Sequence, residues 1–410
     1  MATHRATRLP SLVIDHGQVE ARKQFRRDLW EYRPVDHIPV TFWPSWTFGH
    51  TPREATENGD VQLEVNVRTI ERSLRIIPDD YIPWARVWCG YMTLATMFGA
   101  ELHWGDDPAQ PPGVRSPLIT EIEQVFGLAR PDMGAGLMAE NLRRLRQHAA
   151  GLPPDVHLTG IDAGGPLNSC KDLVETNLLY TAFYDDPRAM HHLLDLVTDV
   201  QVEMYRAIVE AAGGLDRMTS IDFNTEWTPE KYKAFVSDDV CATMGPELFR
   251  EFGLPYNSRI LRPWGSGLMH NCGPHPSRDL YLEHDPRLKG LHLAYKYSHG
   301  DFPALREILA GWGVIFIVLD NELTPDLMLS AFRSSMEMLA PDVIGMPVCI
   351  LDDSWRDEDV TALYWEMRTI SNEYSASMRW APERAHLRRG RAPRRPSKRS
   401  TVDPMMATED

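Results

Sequence analysis

From residue 38 onward the sequence repeats one unit: a short run of aliphatic residues, a break of Gly, Pro or Asp, and an amphipathic helical stretch. Strands that alternate with helices in this way pair in parallel, and each helix crosses over the sheet. About eight such strands predict an α/β fold of the (β/α)8 TIM barrel type, with its chemistry at the C-terminal ends of the strands. A doubly wound open sheet is the alternative, although the sequence has no Gly-rich phosphate loop to support it.

The same pattern predicts the boundaries of the domain. Residues 1–36 are predicted to be an N-terminal extension, residues 37–378 a single barrel domain, and residues 379–410 a disordered C-terminal tail. Predicted strands lie at 37–43, 155–161, 233–239, 267–273, 290–295, 314–320 and 342–350. Helices are predicted at 61–77, 186–211, 245–261, 302–310, 325–339 and 358–375.

The charge of the chain is unevenly distributed. The net charge is −15, yet residues 379–399 contain nine Lys or Arg and one Glu, so the remainder is strongly acidic. A basic, Pro-rich run with few aliphatic residues cannot pack a core, which predicts a disordered tail. An acidic body argues against an enzyme that acts on nucleic acid. The tail is interpreted as a solvated extension, with binding of a partner as the alternative.

The hydrophobic content of 43% is that of a globular protein, and no apolar run approaches the roughly 20 residues that span a bilayer. The first residues lack the apolar stretch of a secretory signal, which leads to the expectation of a cytoplasmic protein without a membrane partner. The five cysteines are widely scattered, so we expect thiols rather than a disulfide framework. Some of these thiols are candidate metal ligands.

The segment His-Asn-Cys-Gly is the strongest candidate for chemistry. His270 and Cys272 lie at the exit of a predicted strand, where side chains two residues apart share a face. The segment is either a turn or part of a metal site. Cys349, at the end of a later predicted strand, is the candidate third ligand. Three N and S ligands with an open fourth position are typical of catalytic zinc.

Other polar and aromatic residues are predicted near the same strand ends. Asp238 and Asp239 follow a predicted strand and are candidates for catalysis, for orienting substrate or for completing the metal shell. The alternative is an acidic pair that interacts with the dipole of the following helix. Trp43, Tyr91 and Asn168 are candidates for binding substrate, with core packing and turn capping as the alternatives.

Several segments resemble the uroporphyrinogen decarboxylase superfamily, including its zinc-dependent branch that transfers methyl groups between corrinoid proteins and thiols. These segments are 79–102, 164–173, 237–256, the His-Asn-Cys-Gly of 270–273 and the late Pro-Val-Cys-Ile of 347–350. The resemblance implies a TIM barrel in which His270, Cys272 and Cys349 bind Zn²⁺ and an Asp lies at the mouth. It also implies a corrinoid on a separate partner protein as co-substrate.

The decarboxylase itself is a poorer match than the methyltransferase branch. The family's Arg-rich N-terminal signature is replaced here by residues 41–50, which contain no Arg, and its essential aspartate would fall at Gly90. A substrate with four carboxylates then lacks both its clamp and its catalytic group. An insertion at 222–232 lies where loops shape specificity.

The sequence therefore predicts a zinc-dependent methyltransferase that moves a methyl group between a corrinoid and a thiol or small methylated substrate. The alternative is a metal-independent decarboxylase or lyase that uses Asp239 on a different carboxylated substrate. A third possibility is a non-catalytic barrel with a structural zinc ion and a tail that recruits a partner.

Overall fold

The computed structural model describes residues 12–107 and 110–380 of the chain. The basic tail predicted at 379–410 lies outside the described residues except for its first two positions. The described part is an α/β structure in which parallel strands alternate with helices.

The main sheet contains six parallel strands and curls. The strands are β1 (Thr41–Pro44), β2 (Trp84–Ala85), β3 (Leu102–His103), β4 (Gly113–Val114), β5 (His157–Leu158), β6 (Ala234–Ser237), β7 (Gly267–Asn271), β8 (Gly290–Ala294), β9 (Val314–Leu319) and β10 (Ile344–Leu351). The strand order in the main sheet is β1, β10, β9, β8, β7, β6, and a separate parallel pair joins β2 and β5. A short antiparallel ribbon, β3 and β4, lies between β2 and β5 along the chain.

Backbone hydrogen bonds link the β2–β5 pair towards β6. The N–H of Thr219 donates to the carbonyl of Leu158, and that of Ile221 donates to the carbonyl of Lys233, just before β6. The segment that leads into the 222–232 insertion therefore lies between β5 and β6. The structure confirms the predicted α/β class, with a curled parallel sheet that is consistent with a TIM-like fold.

The helices pack against the sheet through apolar faces. They are α1 (His16–Trp30), α2 (Pro52–Glu57), α3 (Gly59–Ile76), α4 (Thr93–Met97), α5 (Gly136–Gly151), α6 (Pro166–Leu173), α7 (Thr176–Asp185), α8 (Pro187–Ala211), α9 (Pro246–Leu248), α10 (Leu254–Leu261), α11 (Tyr295–Ser298), α12 (Phe302–Leu309), α13 (Pro325–Leu339) and α14 (Asp357–Ser377). The single helix predicted at 245–261 is instead α9, a π-helical turn at Phe249–Gly253 and α10.

The core lies between the strands and the surrounding helices. Every residue of β6, β7, β8 and β9 is buried, as expected for parallel strands that are covered on both faces. The first helix, α1, belongs to this core, since Leu29 and Trp30 are fully buried. The predicted N-terminal extension at 1–36 thus contains an element that packs with the barrel-like body.

No helix among the described residues combines the length and the hydropathy that a bilayer crossing requires.

Candidate metal centre

Two neighbouring strands bring the candidate ligands to one edge of the sheet. Strands β6 and β7 pair in parallel with Ser237 opposite His270. Asp239 follows β6 by two residues, and Cys272 follows β7 directly. Because the carboxyl ends of parallel strands meet at one edge, these side chains converge at what we call the mouth of the sheet.

Asp239, His270 and Cys272 form the mouth cluster. Their ligand atoms all lie within 4.8 Å of one another. The Nε2 atom of His270 is 3.0 Å from the Cys272 Sγ and 3.5 Å from the Asp239 Oδ1. The backbone N–H of Cys272 donates to the same carboxylate oxygen at 2.8 Å, which fixes the turn after β7.

A second histidine sets the orientation of His270. The His270 Nδ1 lies 3.0 Å from the backbone carbonyl of His292 and 2.8 Å from the His292 Nδ1. A proton on the His270 Nδ1 satisfies the carbonyl and leaves the Nε2 lone pair directed at the mouth cluster. Burial lowers the pKa of His270, so its imidazole is neutral at neutral pH, which is the form that binds metals.

Asn168 holds Asp239 in place. The backbone N–H groups of Asp239 and Val240 donate to the Asn168 Oδ1 at 3.0 and 3.2 Å, and the Asn168 Nδ2 donates to the Asp239 Oδ2 at 3.2 Å. Gly165, just before helix α6, has no Cβ, and a Cβ there would lie 2.1 Å from the Ser237 carbonyl oxygen. The missing atom lets α6 bring Asn168 close to β6. Asn168 therefore orients a candidate ligand, whereas the sequence predicted contact with substrate.

The two predicted catalytic aspartates have different surroundings. Asp238 is fully buried, accepts from the Asn257 Nδ2 at 2.7 Å and from the Cys241 N–H at 3.1 Å, and shapes the turn towards α9. Burial raises the pKa of Asp238 to about 6. Asp238 is not among the groups of the mouth cluster, because its oxygens are taken up by Asn257 and Cys241, and its share in catalysis stays a prediction.

Cys349 does not join His270 and Cys272. It is fully buried, and its thiol contacts the Met367 sulfur of α14 at 3.5 Å. Its partner across the ladder is Phe42, which contacts Tyr364 of the same helix. Cys349 therefore faces the helix layer and lies outside the mouth cluster, so the structure does not bring it to the predicted zinc site, where the third group is Asp239.

Aromatic side chains and one arginine line the mouth beside the cluster. The rings of Trp43 and Phe223 are 6.2 Å apart, and that of Phe223 lies 5.3 Å from the His270 ring. Tyr91, 43% exposed, meets the edge of Trp88. The guanidinium of Arg86 lies 5.3 Å from the Trp43 ring. Sequence reasoning missed Arg86 and Phe223, although Arg86 is the single charge within the Trp-rich run 84–88.

The charges at the mouth disfavour a free thiolate. Burial raises the pKa of the Cys272 thiol well above its usual value, and the carboxylates of Asp239, Asp320 and Asp162 raise it further. Burial also raises the pKa of Asp162 to about 6, with Arg86 acting in the opposite direction. A cation bound among these groups would reverse this effect, since it favours the deprotonated thiol.

The donor set fits a zinc ion. A neutral imidazole nitrogen, a thiol sulfur and a carboxylate oxygen are the three ligand types that Zn²⁺ takes in proteins. The hydrogen bond from His270 to the His292 carbonyl supplies the outer contact that metal-binding histidines usually have. Three protein groups leave a fourth position open to a substrate.

Comparisons with known proteins agree with this architecture. A family model described as uroporphyrinogen decarboxylase matches residues 47–284, which include the whole mouth cluster but not Cys349. Proteins named uroporphyrinogen decarboxylase from Xanthomonas campestris and Xanthomonas axonopodis are 24% identical over 258 and 260 residues. These matches cover 60 and 61% of this chain and the same shares of the relatives, so the chain spans about three fifths of their length.

The fold is also found in a solved structure. A methyltransferase from Methanosarcina mazei has a TM-score of 0.63 at 19% identity, over 85% of this chain and 97% of that one. At this identity the likeness concerns the fold.

Proposed function

The chain belongs to the uroporphyrinogen decarboxylase family, and from this premise we propose that it is a zinc-dependent methyltransferase. It moves a methyl group between a corrinoid on a partner protein and a thiol or small methylated substrate. The observation that carries the proposal is the convergence of Asp239, His270 and Cys272 at the mouth. The structural likeness to a methyltransferase and the resemblance of His-Asn-Cys-Gly to the zinc-dependent branch support it.

In this proposal His270, Cys272 and Asp239 hold the zinc ion, and the open position receives the substrate. Zinc bound there would lower the pKa of a substrate thiol and so increase its fraction of nucleophilic thiolate. In transfer to the thiol, the thiol sulfur would bond to the methyl carbon, the cobalt–carbon bond would break with its electron pair left on cobalt, and the thiol proton would go to solvent. In the opposite direction the bond between the methyl carbon and the substrate heteroatom would break, the heteroatom would take up a proton from solvent, and the methyl carbon would bond to cobalt with the electron pair of the reduced cobalt.

The residues of the chain prepare the site for this reaction. Asn168 fixes the carboxylate of Asp239, and the His292 carbonyl fixes the ring of His270, so the ligands need little rearrangement. The rings of Trp43 and Phe223 form an apolar wall that excludes water from one side of the cluster. Asp162, with a pKa of about 6, can exchange a proton near neutral pH.

Zinc content tests the proposal most directly. We expect about one zinc ion per chain in the wild type, loss of most of it in Cys272→Ser, and its retention in the matched control Cys349→Ser. Methyl transfer from methylcobalamin to a panel of thiols should follow the same order. A wild type that stays metal-free after titration with zinc would overturn the proposal, and equal loss in both variants would restore Cys349 as a ligand.

The names of the Xanthomonas relatives favour a second candidate, a metal-independent decarboxylase or lyase acting on a different carboxylated substrate. Asp239 would then act without metal. Against the family's own decarboxylation, the position predicted for its essential aspartate is Gly90, which has a φ of +107°, a conformation that residues with a side chain rarely adopt. Full activity of a chelator-treated, metal-free protein would favour this candidate.

A further inference from the structure

Arg86 lies at the mouth on a rigid support. It follows β2 directly, and its backbone is held by Asn66, which accepts from the Arg86 N–H at 3.0 Å and donates to the Arg86 carbonyl at 2.8 Å. The position of the side chain is therefore set by a strand end and a helix rather than by a loose loop.

The guanidinium of Arg86 lies between two indole rings, and part of its hydrogen-bonding capacity has no partner among the described residues. It is 5.3 Å from the ring of Trp43 and 5.1 Å from that of Trp88. Its Nε is buried and has no hydrogen-bond partner among the described residues. The nearest carboxylate oxygen, on Asp162, is 3.8 Å away, which is beyond hydrogen-bond distance. The Arg86 side chain is 22% exposed, so its guanidinium keeps hydrogen-bond donors that a ligand at the mouth can reach.

A continuous series of ring contacts connects Arg86 to the mouth cluster. Arg86 packs on Trp43, Trp43 on Phe223, and Phe223 on the ring of His270. The Tyr91 hydroxyl lies beside Arg86 and accepts a hydrogen bond from its guanidinium, which helps to orient the guanidinium. Arg86 and the mouth cluster therefore lie at the two ends of a row of aromatic rings formed by Trp43 and Phe223.

We propose that Arg86 binds the carboxylate of the substrate, and that the substrate is a flat, singly charged aromatic acid whose other end reaches the mouth cluster. A planar carboxylate matches the two-pronged geometry of the guanidinium, and an aromatic body packs on the indole rings. A doubly charged phosphate fits less well, because Asp162, Asp239 and Asp320 would repel it. The identity of the reacting end rests on the proposed function, whereas binding of the carboxylate does not.

Calorimetric titration with a matched pair of probes tests the inference. The probes are 4-methoxybenzoate and 4-methoxybenzamide, which share shape and differ in charge. They are titrated into metal-free and zinc-loaded full-length protein as wild type, Arg86→Gln, Arg86→Lys and the control Arg333→Gln. Arg333 lies on α13 and forms an exposed pair with Glu373.

We expect the wild type and Arg333→Gln to bind the acid at least tenfold more tightly than the amide, with or without zinc. Arg86→Gln should bring the two affinities within about twofold, and Arg86→Lys should keep part of the preference because it retains the charge but loses the planar fork. Zinc content should be the same in all four proteins.

An unchanged preference in Arg86→Gln, or a wild type that binds neither probe or both equally, would overturn the inference. Near-ultraviolet circular dichroism checks that Arg86→Gln is folded, and Arg86→Lys decides the case if it is not. A wild type that prefers the acid but takes up no zinc would support the carboxylate site while contradicting the proposed function, so the two failures are distinguishable.

Discussion

Charged side chains lie at both ends of the parallel sheet, but they are partnered differently at the two ends. At the amino ends, Arg26, His37, Asp80, Glu226 and Tyr364 form what we call the amino-end network. In it, Asp80 accepts from the Val40 N–H at 3.0 Å, and one of its oxygens lies 2.9 Å from the His37 Nε2. At the mouth, by contrast, acidic groups face one another around a thiol.

The difference is visible in the pKa values of the two regions. Burial would raise the pKa of Asp80, but its interactions with His37, Arg26 and the Val40 N–H together outweigh burial, and the pKa of this carboxyl is lowered. At the mouth the carboxylates add to the effect of burial and raise the pKa of Cys272. At the amino ends a buried cation, Arg26, lies against a carboxylate, whereas the mouth cluster of Asp239, His270 and Cys272 contains no cation, which marks it as a place for one.

The largest effect is expected from breaking the amino-end network. Arg26 is buried and lies 3.4 Å from the Glu226 carboxylate. At pH 8, where Glu226 is ionised because its pKa is about 7, Arg26→Met leaves that carboxylate without its cation and should lower the apparent free energy of unfolding by about 3–5 kcal/mol in urea. Arg27→Met on the same helix removes an exposed pair with Glu230 and should cost less than about 1 kcal/mol. Equal losses in the two variants would contradict the comparison.

The next effect is a pH dependence that belongs to Glu226. Burial raises its pKa to about 7 from a usual value near 4.5. The folded chain therefore binds more protons than the unfolded chain between these values, and this contribution to stability is present below pH 4.5 and lost as the pH rises through 7. Relative to Glu226→Gln, the wild type should lose on the order of 2–3 kcal/mol between pH 4.5 and 8 in urea unfolding. A constant difference across this range would show that the pKa of Glu226 is the same in the folded and the unfolded chain.

At the mouth, substitution should change metal binding rather than stability. Asp239→Asn removes one candidate ligand charge and should weaken zinc binding by about 10- to 100-fold in competition with a chromophoric chelator. Asp238→Asn, its immediate neighbour, should retain zinc affinity within about threefold and instead lower the unfolding temperature, because Asp238 is buried and hydrogen-bonded to Asn257. If Asp238→Asn weakened zinc binding and Asp239→Asn lowered only the unfolding temperature, Asp238 would be the ligand and Asp239 the structural residue.

The smallest effect is expected at Cys349. Cys349→Ala removes a buried sulfur that packs on Met367 and should lower the apparent free energy of unfolding by about 1 kcal/mol. Zinc affinity should not change. A large loss of zinc with no change in stability would mean that the strand presents its other face to the mouth when metal is bound.

Much of the fold could be predicted from periodicity. The strands predicted at 290–295 and 314–320 are observed as β8 and β9 with ends that differ by one residue, because long aliphatic runs between clear breaks have few alternatives. The strand predicted at 155–161 is reduced to His157–Leu158. After this strand the Gly160 N–H donates to the carbonyl of Asp222, the first residue of the 222–232 insertion, a distant contact that a local pattern does not contain.

The candidate site was predictable only in part. His270 and Cys272 share a face because they are two residues apart, which the sequence states directly. Cys349 lies in β10, where nearly every residue is buried, so no alternation of polar and apolar residues indicates which face it takes. Asp238 and Asp239 differ in their surroundings because Asn257 binds the first and Asn168 the second, and Asn168 lies far away in sequence.

Phe223 belongs to the 222–232 insertion, while the three groups of the mouth cluster come from the ends of β6 and β7. The surface that would recognise a substrate and the atoms that would react with it are therefore encoded in separate stretches of the chain. Changes in the insertion can alter the shape and polarity beside His270 without moving its strand. Related chains could in this way acquire new substrates during evolution while keeping the same reactive centre.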